Sequence, residues 1–490
     1  MRDDQIRAIL RQANPWWLAS ATGVSPTAWA SSHRLLRDRA RFDLGYRSPV
    51  LDDVATGQVD DKLVVLTGPR RVGKSIVLLD TAATLCGRDD VDPRQVIHIP
   101  ADDFTAQDLA RAFALGRDLT RSVDRPDSRP RVWLLDEISG ISGWTTTLKR
   151  MRDQTLVGED TVVATGSRWV GADDITADLL AGRAGRGSHR RLRHLMPMSF
   201  RDFLAVSGRN LPAFPAASLR DLQSESVREA LQSLSFLVDD YDLAWQEYLT
   251  CGGFPRAVYG HITNGDVSPG YLRDLEAWLI ADLADDETPD SVPLLLEGLA
   301  TRTTSPLNLT KTARDLGYNS KNQFDRRLNR LIATFAALRC PQRNEHGEIV
   351  VGAQAKYYLT DPLLAWLPSR LRAGLAKPEL PSLSEAALAT SLAIALDDLQ
   401  ERRFTVGDTI GYLRTGSGQE IDLAPVTLPT ADGPRLTTPL ESKWVSHGWR
   451  TEAKVIENKY GAGVLATRNI LDVSHPTWAI PAPMVALLLR

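Results

Sequence analysis

Cysteine is scarce in this chain of 490 residues, which has three of them. Cys86, Cys251 and Cys340 are far apart in the sequence, and their spacing is not that of metal ligands. This usage argues against a structural zinc site and indicates a reducing compartment. The N-terminal residues, MRDDQIRAILRQ, lack the apolar core of a signal peptide, and no uncharged apolar stretch is long enough to span a bilayer. We therefore expect a cytoplasmic protein without a membrane partner.

A strong net charge is also missing, since the formal value is -3 at pH 7. The chain as a whole therefore has no electrostatic signature of a nucleic-acid binder, and any contact with DNA must come from local basic patches. Hydrophobic residues make up 43% and charged residues 24% of the chain, which are ordinary values for globular proteins. A length of 490 residues exceeds what one hydrophobic core supports, so we expect several domains.

The most informative stretch is KLVVLTGPRRVGKSIVLLD, residues 62–80. A β-branched apolar run leads into a glycine-bounded loop, and an apolar helical pattern follows. The loop has the full spacing G-x-x-x-x-G-K-[ST] of a phosphate-binding loop. The residues predicted to bind nucleotide are Gly68, Pro69, Arg70, Arg71, Val72, Gly73, Lys74, Ser75 and Ile76. The alternative, an accidental glycine turn, does not account for a complete motif between a strand and a helix.

Each position of this loop has a chemical role. Gly68 and Gly73 allow the backbone to curl so that consecutive N–H groups face phosphate oxygens. The N-terminus of the following helix is the end that favours an anion. Lys74 can reach the β- and γ-phosphates, and the hydroxyl of Ser75 can hold Mg²⁺. The sequence therefore predicts ATP and Mg²⁺ as ligands.

Two carboxylates follow a second buried strand pattern, RVWLL, at residues 131–135. In an open α/β sheet the carboxyl ends of the strands face the ligand. Asp136 would hold Mg²⁺ through its waters, and Glu137 would orient or deprotonate the water that attacks the γ-phosphate. An acidic strand end facing solvent is the alternative. The alternation of strands and helices from Leu51 predicts a parallel sheet covered by helices.

Two further catalytic candidates follow this strand in the chain. Ser167 directly follows the strand pattern TVVATG at residues 161–166, where a hydroxyl can sense the γ-phosphate or cap the next helix. Arg183 lies in a basic cluster over residues 182–194 and is the candidate arginine finger, acting in cis or from a neighbouring subunit of a homo-oligomer. A solvated basic loop is the alternative explanation for this cluster.

Residues 293–366 have the pattern of a winged helix, in which three short helices precede two strands. The third helix begins near residue 320, and its apolar side chains Phe324, Leu328 and Leu331 recur at helical spacing. Such a helix can enter a DNA major groove, although structural winged helices that bind protein are also frequent. The side chains predicted to contact DNA are Lys321, Gln323, Arg327 and Arg330.

Carboxylates and a lysine recur on two strand patterns near the end of the chain. Glu441 and Lys443 are two residues apart and therefore share one face of a strand, and Asp422 lies on an adjoining strand. Two carboxylates can bind Mg²⁺, and a lysine can activate water for phosphodiester cleavage. A salt-bridged surface face is the alternative.

Taken together, these stretches resemble bacterial and archaeal AAA+-like P-loop ATPases that carry a C-terminal domain of the restriction-endonuclease-like, PD-(D/E)xK type. The resemblance covers roughly residues 15 to 470 and rests on residues 68–75, 134–137, 165–167, 181–183, 197–200, 252–255, 356–361 and 441–443. It implies an α/β chain with an N-terminal helical arm, a P-loop ATPase core, a helical lid, a winged helix and a nuclease-like domain. The corresponding ranges are 1–48, 49–205, 206–290, 291–372 and 373–490.

The nuclease motif departs from the family pattern because Ile421 stands where its proline is expected. An upstream helix glutamate often belongs to such sites, and Glu385 is the local candidate. Three functions remain open. The chain is a DNA-associated ATPase motor or switch in repair, mobile-element control or defence, an ATP-gated nuclease, or a nucleotide-switched scaffold with an inactive nuclease-like domain.

Overall fold

The computed structural model describes residues 1–121, 130–153, 157–167, 191–212, 214–215, 217–283, 291–400, 409–428 and 433–489. The chain divides into two compact units, residues 1–196 and 197–490. The sequence predicts five segments, and their boundaries inside the second unit stay a prediction. Within the described part of the chain, no helix is both long and apolar enough to cross a bilayer.

The first unit contains a five-stranded parallel sheet with the order β2-β3-β4-β1-β5. Its strands are β1 (Lys62–Thr67), β2 (Val96–Pro100), β3 (Val132–Asp136), β4 (Thr161–Gly166) and β5 (Leu192–His194). Nearly all of their residues are buried, which explains the continuous apolar runs in the sequence. Because β4 pairs with both β1 and β3, it brings the loops after β1 and β3 to the same edge of the sheet.

Seven helices of the first unit are described. They are α1 (Asp3–Ala13), α2 (Ala19–Thr22), α3 (Arg34–Ala40), α4 (Asp52–Thr56), α5 (Lys74–Cys86), α6 (Ala106–Leu119) and α7 (Trp144–Asp153). The N-terminal arm packs on the sheet. Trp16 and Trp17 are buried, and both indole N–H groups donate to the Val96 carbonyl oxygen at 2.9 Å. This tryptophan pair therefore anchors the arm to β2.

The second unit begins with a helical region. Its helices are α8 (Phe200–Val206), α9 (Glu225–Ser233), α10 (Val238–Cys251), α11 (Pro255–Asn264), α12 (Pro269–Leu283), α13 (Ser291–Ala300), α14 (Leu309–Asp315) and α15 (Lys321–Ala333). The last three lie in the segment that the sequence predicts to be a winged helix. They are followed by the strands β6 (Ala337–Cys340), β7 (Gln342–Arg343) and β8 (Lys356–Leu359), in which β6 and β8 pair antiparallel.

The remaining elements alternate helices and short strands. They are α16 (Pro362–Leu371), α17 (Leu380–Gln400), β9 (Tyr412–Arg414), β10 (Glu420–Ile421), β11 (Thr427–Leu428), β12 (Arg435–Leu436), β13 (Leu440–Ser442), α18 (Trp449–Tyr460), β14 (Gly463–Thr467), β15 (Thr477–Pro481) and α19 (Ala482–Leu488). Strands β13, β14 and β15 form a parallel sheet. Strand β7 pairs with β9, so a strand of the predicted winged-helix segment belongs to the same sheet as the C-terminal strands β9 and β10.

Two sequence stretches that are distant in the chain meet at Asp361. Its carboxylate accepts the N–H of Gly253 at 2.7 Å and the N–H of Leu363 at 2.8 Å, the latter as the N-cap of α16. Gly252 has φ 69°, and a Cβ on it would lie 2.1 Å from an Asp361 oxygen. The close approach therefore requires glycine at position 252.

This junction predicts a specific pH dependence of stability. Burial raises the pKa of Asp361 to about 7, although both N–H groups lower it. Because the pKa of Asp361 is raised in the folded state, its neutral carboxyl contributes fully to the free energy of unfolding below about pH 4. This contribution is lost as the pH rises to about 7. The loss is at most about 4 kcal/mol. Asp361→Asn removes the titrating group, so the difference in unfolding free energy between wild type and variant should shrink over this range.

The measurement is urea unfolding, followed by tryptophan fluorescence, at a series of pH values from 4 to 8. Asp221→Asn changes an exposed carboxyl of the same unit and is the matched control. Its unfolding free energy should follow that of the wild type at every pH. A constant difference between wild type and Asp361→Asn across the series would contradict the prediction.

Candidate functional site

The loop between β1 and α5 has the backbone of a phosphate-binding loop. Gly68 has φ 152°, and a Cβ on it would lie 2.1 Å from the Leu195 carbonyl oxygen, so only glycine fits there. Arg71 and Gly73 have φ values of 67° and 105°, in the left-handed region. Such a curled backbone can direct several N–H groups at one anion. The structure thus gives the 68–75 stretch the form that its sequence predicts.

Lys74 is the first residue of α5, and its side chain is buried. Its ammonium donates to the carbonyl oxygens of Gly68 at 2.9 Å and Pro69 at 2.8 Å. The loop therefore holds the ammonium of Lys74 against its own backbone carbonyl oxygens. An ammonium has three donors, so it can exchange these carbonyls for phosphate oxygens without leaving the loop.

The acidic residues at the end of β3 lie at the same edge of the sheet. The hydroxyl of Thr165 donates to Asp136 at 2.8 Å and accepts the N–H of Glu137 at 3.0 Å. Glu137 has φ 57°. Its carboxylate accepts both the N–H of Ser167, at 2.9 Å, and the hydroxyl of Ser167. Three residues predicted to be functional, Asp136, Glu137 and Ser167, are thus brought together by the pairing of β3 with β4.

Two neighbours of this acidic pair were not singled out from the sequence. His98 on β2 is buried, with its Nε2 4.0 Å from an oxygen of Asp136. Burial lowers the pKa of His98, although Asp136 opposes this change. Asp102, in the loop after β2, has a raised pKa because it is partly buried and close to Asp136 and Glu137. Negative charge is therefore concentrated at this edge of the sheet.

The residues present fit ATP with Mg²⁺. The curled loop and the N-terminus of α5 supply N–H groups for phosphate oxygens. The hydroxyl of Ser75 and the carboxylate of Asp136 are oxygen ligands, which Mg²⁺ prefers. The excess negative charge around Asp136 and Asp102 is what a divalent cation would neutralise. Arg183, the candidate arginine finger, lies outside the described residues.

A second cluster of ionisable residues lies in the C-terminal part of the second unit. The N–H of Asp422 donates to Glu441 at 2.8 Å, and the N–H of Ser442 donates to Asp422 at 3.3 Å. The ammonium of Lys443 lies 2.5 Å from an oxygen of Glu441 and 3.6 Å from one of Asp422. The antiparallel bridge between Leu423 and Leu440 sets this register. The predicted association of Asp422, Glu441 and Lys443 is therefore present in the structure.

Glu385 and an unpredicted lysine complete this cluster. Lys356 on β8 has no exposed surface, and its ammonium donates to Asp422 at 2.8 Å. It also lies 3.5 Å from an oxygen of Glu385 and 3.3 Å from one of Glu420. The hydroxyl of Tyr358, two residues along β8, donates to the same oxygen of Glu385 at 2.8 Å.

The charges of this cluster are strongly coupled. Burial and the nearby Asp422 raise the pKa of Glu441 to about 8 and that of Glu385 to about 7. Burial also acts to raise the pKa of Asp422, but Lys356 and Lys443 outweigh it, and the pKa is lowered. Of Asp422, Glu441 and Glu385, Asp422 is therefore the group whose ionised form is favoured. A cavity of about 370 Å³ opens over Asp422, Glu441, Glu385 and Lys443.

The outer face of α15 differs from the sequence prediction at one residue. Lys321 and Arg330 are exposed, and Gln323 is half-buried. Arg327 is buried and donates to the carbonyl oxygen of Leu283 at the end of α12. The prediction that the side chain of Arg327 contacts DNA was therefore wrong. Arg327 shares the helix face of the apolar core residues Phe324, Leu328 and Leu331, and its guanidinium finds a buried acceptor.

Comparison with known proteins agrees with the first of these sites. Residues 60–204 match a family model described as an AAA domain, and residues 242–372 match a model described as a domain of unknown function. No curated protein matches the chain. Among solved structures, a Walker-type ATPase of Pyrococcus abyssi is 15% identical over 67% of this chain and 96% of its own, with a TM-score of 0.40.

The matched AAA domain includes the phosphate-binding loop, Asp136, Glu137 and Ser167. The chain therefore carries an AAA-type P-loop ATPase domain, as the sequence motifs predict. The match to the domain of unknown function ends at residue 372, before the C-terminal carboxylates, and it includes Lys356.

Proposed function

We propose that the chain is a Mg²⁺-dependent ATPase that works as a DNA-associated motor or switch. The observation that carries the ATPase part is the position of Glu137. Its carboxylate is held by Ser167 at the edge of the sheet where the phosphate-binding loop also lies. A carboxylate at that edge is where an ATPase needs the group that orients or deprotonates water.

In this proposal, the loop and Lys74 bind the β- and γ-phosphates, while Ser75 and Asp136 hold Mg²⁺. Held by these two residues, Mg²⁺ would supply positive charge that offsets the negative charge of the phosphates. Thr165 positions Asp136 through its hydroxyl, and its oxygen fixes the backbone of Glu137. Both donors of Ser167 reach one oxygen of Glu137, Oε1, and so fix the carboxylate in place. A carboxylate has two acceptor oxygens, so the second oxygen can orient or deprotonate the attacking water.

The proposal includes an arginine finger, Arg183, supplied in cis or from a neighbouring subunit of a homo-oligomer. The cellular setting that we propose is DNA repair, mobile-element control or defence. The experiment that tests the ATPase part is phosphate release by the full chain with Mg²⁺, with and without DNA, for the wild type, Lys74→Ala and Glu137→Gln. The wild type should turn over ATP, Lys74→Ala should not, and Glu137→Gln should do so about 10²- to 10⁴-fold more slowly.

The DNA part of the proposal rests on α15 in a segment that we propose to be a winged helix. Replacing Lys321 and Arg330 together by alanine should weaken binding of a DNA duplex. Because each cation removed takes away about one phosphate contact, the slope of log affinity against log salt should decrease by about 2. The measurement is fluorescence anisotropy of a labelled duplex at several salt concentrations.

The matched control replaces Arg450 and Lys454 by alanine, since these are an arginine and a lysine exposed on α18. This variant should keep the wild-type salt slope. Equal salt slopes for the wild type and the Lys321/Arg330 variant would show that these two side chains of α15 do not contact DNA phosphates.

The C-terminal part of the second unit has two candidate roles within a restriction-endonuclease-like domain. Convergence of Asp422, Glu441, Lys443 and Glu385 favours an ATP-gated DNA nuclease, in which the carboxylates bind Mg²⁺ and Lys443 activates water. Plasmid cleavage in Mg²⁺ or Mn²⁺ that Lys443→Ala abolishes would support it. The contacts of Lys356 with Asp422 and Glu385 instead favour a scaffold whose nuclease-like domain does not cleave.

A further inference from the structure

A fully buried ammonium lies among the carboxylates of the C-terminal cluster. Lys356 contacts Asp422 at 2.8 Å, Glu420 at 3.3 Å and Glu385 at 3.5 Å. Its ammonium also lies 5.4 Å from the centroid of the Tyr412 ring. Burying a cation without partners is very unfavourable, so a lysine is found in such a place only where anions compensate it.

The three carboxylates come from two separate parts of the chain. Glu385 lies on α17, Glu420 on β10, and Asp422 directly follows β10. Lys356 comes from β8, which pairs with β6 before α16. Burial acts to lower the pKa of Lys356, but Asp422 and Glu385 outweigh it, so the pKa is raised and the ammonium stays charged.

Several of the carboxylate oxygens that could bind a metal ion in this cluster already have donors. Of the two oxygens of Asp422, one accepts from Lys356 and the other from the N–H of Ser442. The oxygen of Glu385 that faces Lys356 accepts from Tyr358. Glu441 accepts the N–H of Asp422 on one oxygen and lies beside Lys443 with the other. Among the described residues, no group of three or more His, Cys, Asp and Glu has an arrangement that could hold a metal ion.

We infer that the ammonium of Lys356 is the built-in cation of this cluster, and that its removal opens a divalent-cation site formed by Glu385 and Asp422. The ammonium takes the place between these two carboxylates that a metal ion would occupy. A divalent cation prefers several oxygen ligands, and Glu385 and Asp422 supply them once the lysine is gone. Lys356 thus ties β8 to the C-terminal strands and keeps the cluster free of metal.

The test uses the full chain without nucleotide and Mn²⁺ as the probe. Lys356→Met keeps the length of the side chain and removes its charge. We expect Lys356→Met to bind about one more Mn²⁺ per chain than the wild type, as counted by electron paramagnetic resonance of free Mn²⁺. Added Mn²⁺ should also raise the thermal unfolding midpoint of the variant, because a ligand that binds only the folded state stabilises it.

The control is the double variant Lys356→Met with Asp422→Asn, which should lose the additional ion and the shift in midpoint. An ion count in Lys356→Met equal to that of the wild type would overturn the inference. If Lys356→Met does not fold, the same Mn²⁺ count is made on the single variant Glu385→Gln and compared with that of the wild type. An unchanged Mn²⁺ count supports the inference, and the loss of one ion overturns it.

The inference rests on the second role proposed for this cluster, a scaffold that does not cleave, and not on the ATPase part of the proposed function. Because the readout uses no nucleotide, its outcome is independent of whether the chain hydrolyses ATP. Failure of the ATPase proposal would appear as absent phosphate release, whereas failure of this inference would appear only in Mn²⁺ binding.

Discussion

Replacing Lys74 by alanine should weaken ATP binding by about 10- to 100-fold and abolish turnover. The ammonium lies across the phosphate-binding loop, where it donates to the carbonyl oxygens of Gly68 and Pro69. In the nucleotide complex it would donate to charged phosphate oxygens instead. A hydrogen bond to a charged group contributes about 1.5 to 3 kcal/mol, and each 1.4 kcal/mol is a factor of about ten in affinity.

The measurement is titration of the full chain with a fluorescent ATP analogue in the presence of Mg²⁺. Residues 1–196 contain two other lysines, Lys62 and Lys149. Lys149→Ala on α7 is the matched control, and it should keep the affinity of the wild type. Retention of wild-type affinity by Lys74→Ala would show that nucleotide binds elsewhere.

Replacing Glu137 by glutamine should lower the turnover number by about 10²- to 10⁴-fold while ATP binding persists. The change keeps the size of the side chain and its ability to accept from Ser167, but it removes the charge that orients and deprotonates water. The expected result is therefore a variant that binds ATP and hydrolyses it far more slowly. Titration with the fluorescent analogue and phosphate release, measured on the same preparation, separate the two steps.

Glu159→Gln is the control for this experiment, because Glu159 is the other glutamate in residues 1–196 and it is exposed. It should release phosphate at the wild-type rate. Equal rates for Glu137→Gln and the wild type would assign the catalytic base to a different residue. Loss of ATP binding in Glu137→Gln would instead give this carboxylate a structural role.

The loop and the acidic pair of the candidate ATP site can be recognised in the sequence because their information is local. The loop at 68–75 and the Asp136-Glu137 pair each follow a continuous buried strand, and both patterns are visible within a few residues. The order of the strands is not local. Only the pairing of β4 with both β1 and β3 shows that Ser167 lies beside Glu137.

Two side chains of the second unit show where sequence reasoning was incomplete. Arg327 stands at helical spacing with Phe324, Leu328 and Leu331, so the periodicity alone indicates the buried face. Because arginine is charged, we predicted that Arg327 is exposed and contacts DNA. Lys356 stands next to the strand pattern Tyr357-Tyr358-Leu359, and this pattern does not distinguish a buried lysine from an exposed one. Its partner Asp422 is 66 residues away, and no local pattern names it.

The most direct measurement of the central claim is phosphate release from ATP by the purified full chain in Mg²⁺. We predict turnover by the wild type that stops when Mg²⁺ is chelated, that Lys74→Ala abolishes and that Glu137→Gln lowers by about 10²- to 10⁴-fold. DNA should change the rate if the DNA-associated switch is correct. No release of phosphate by the wild type, with or without DNA, would contradict the account.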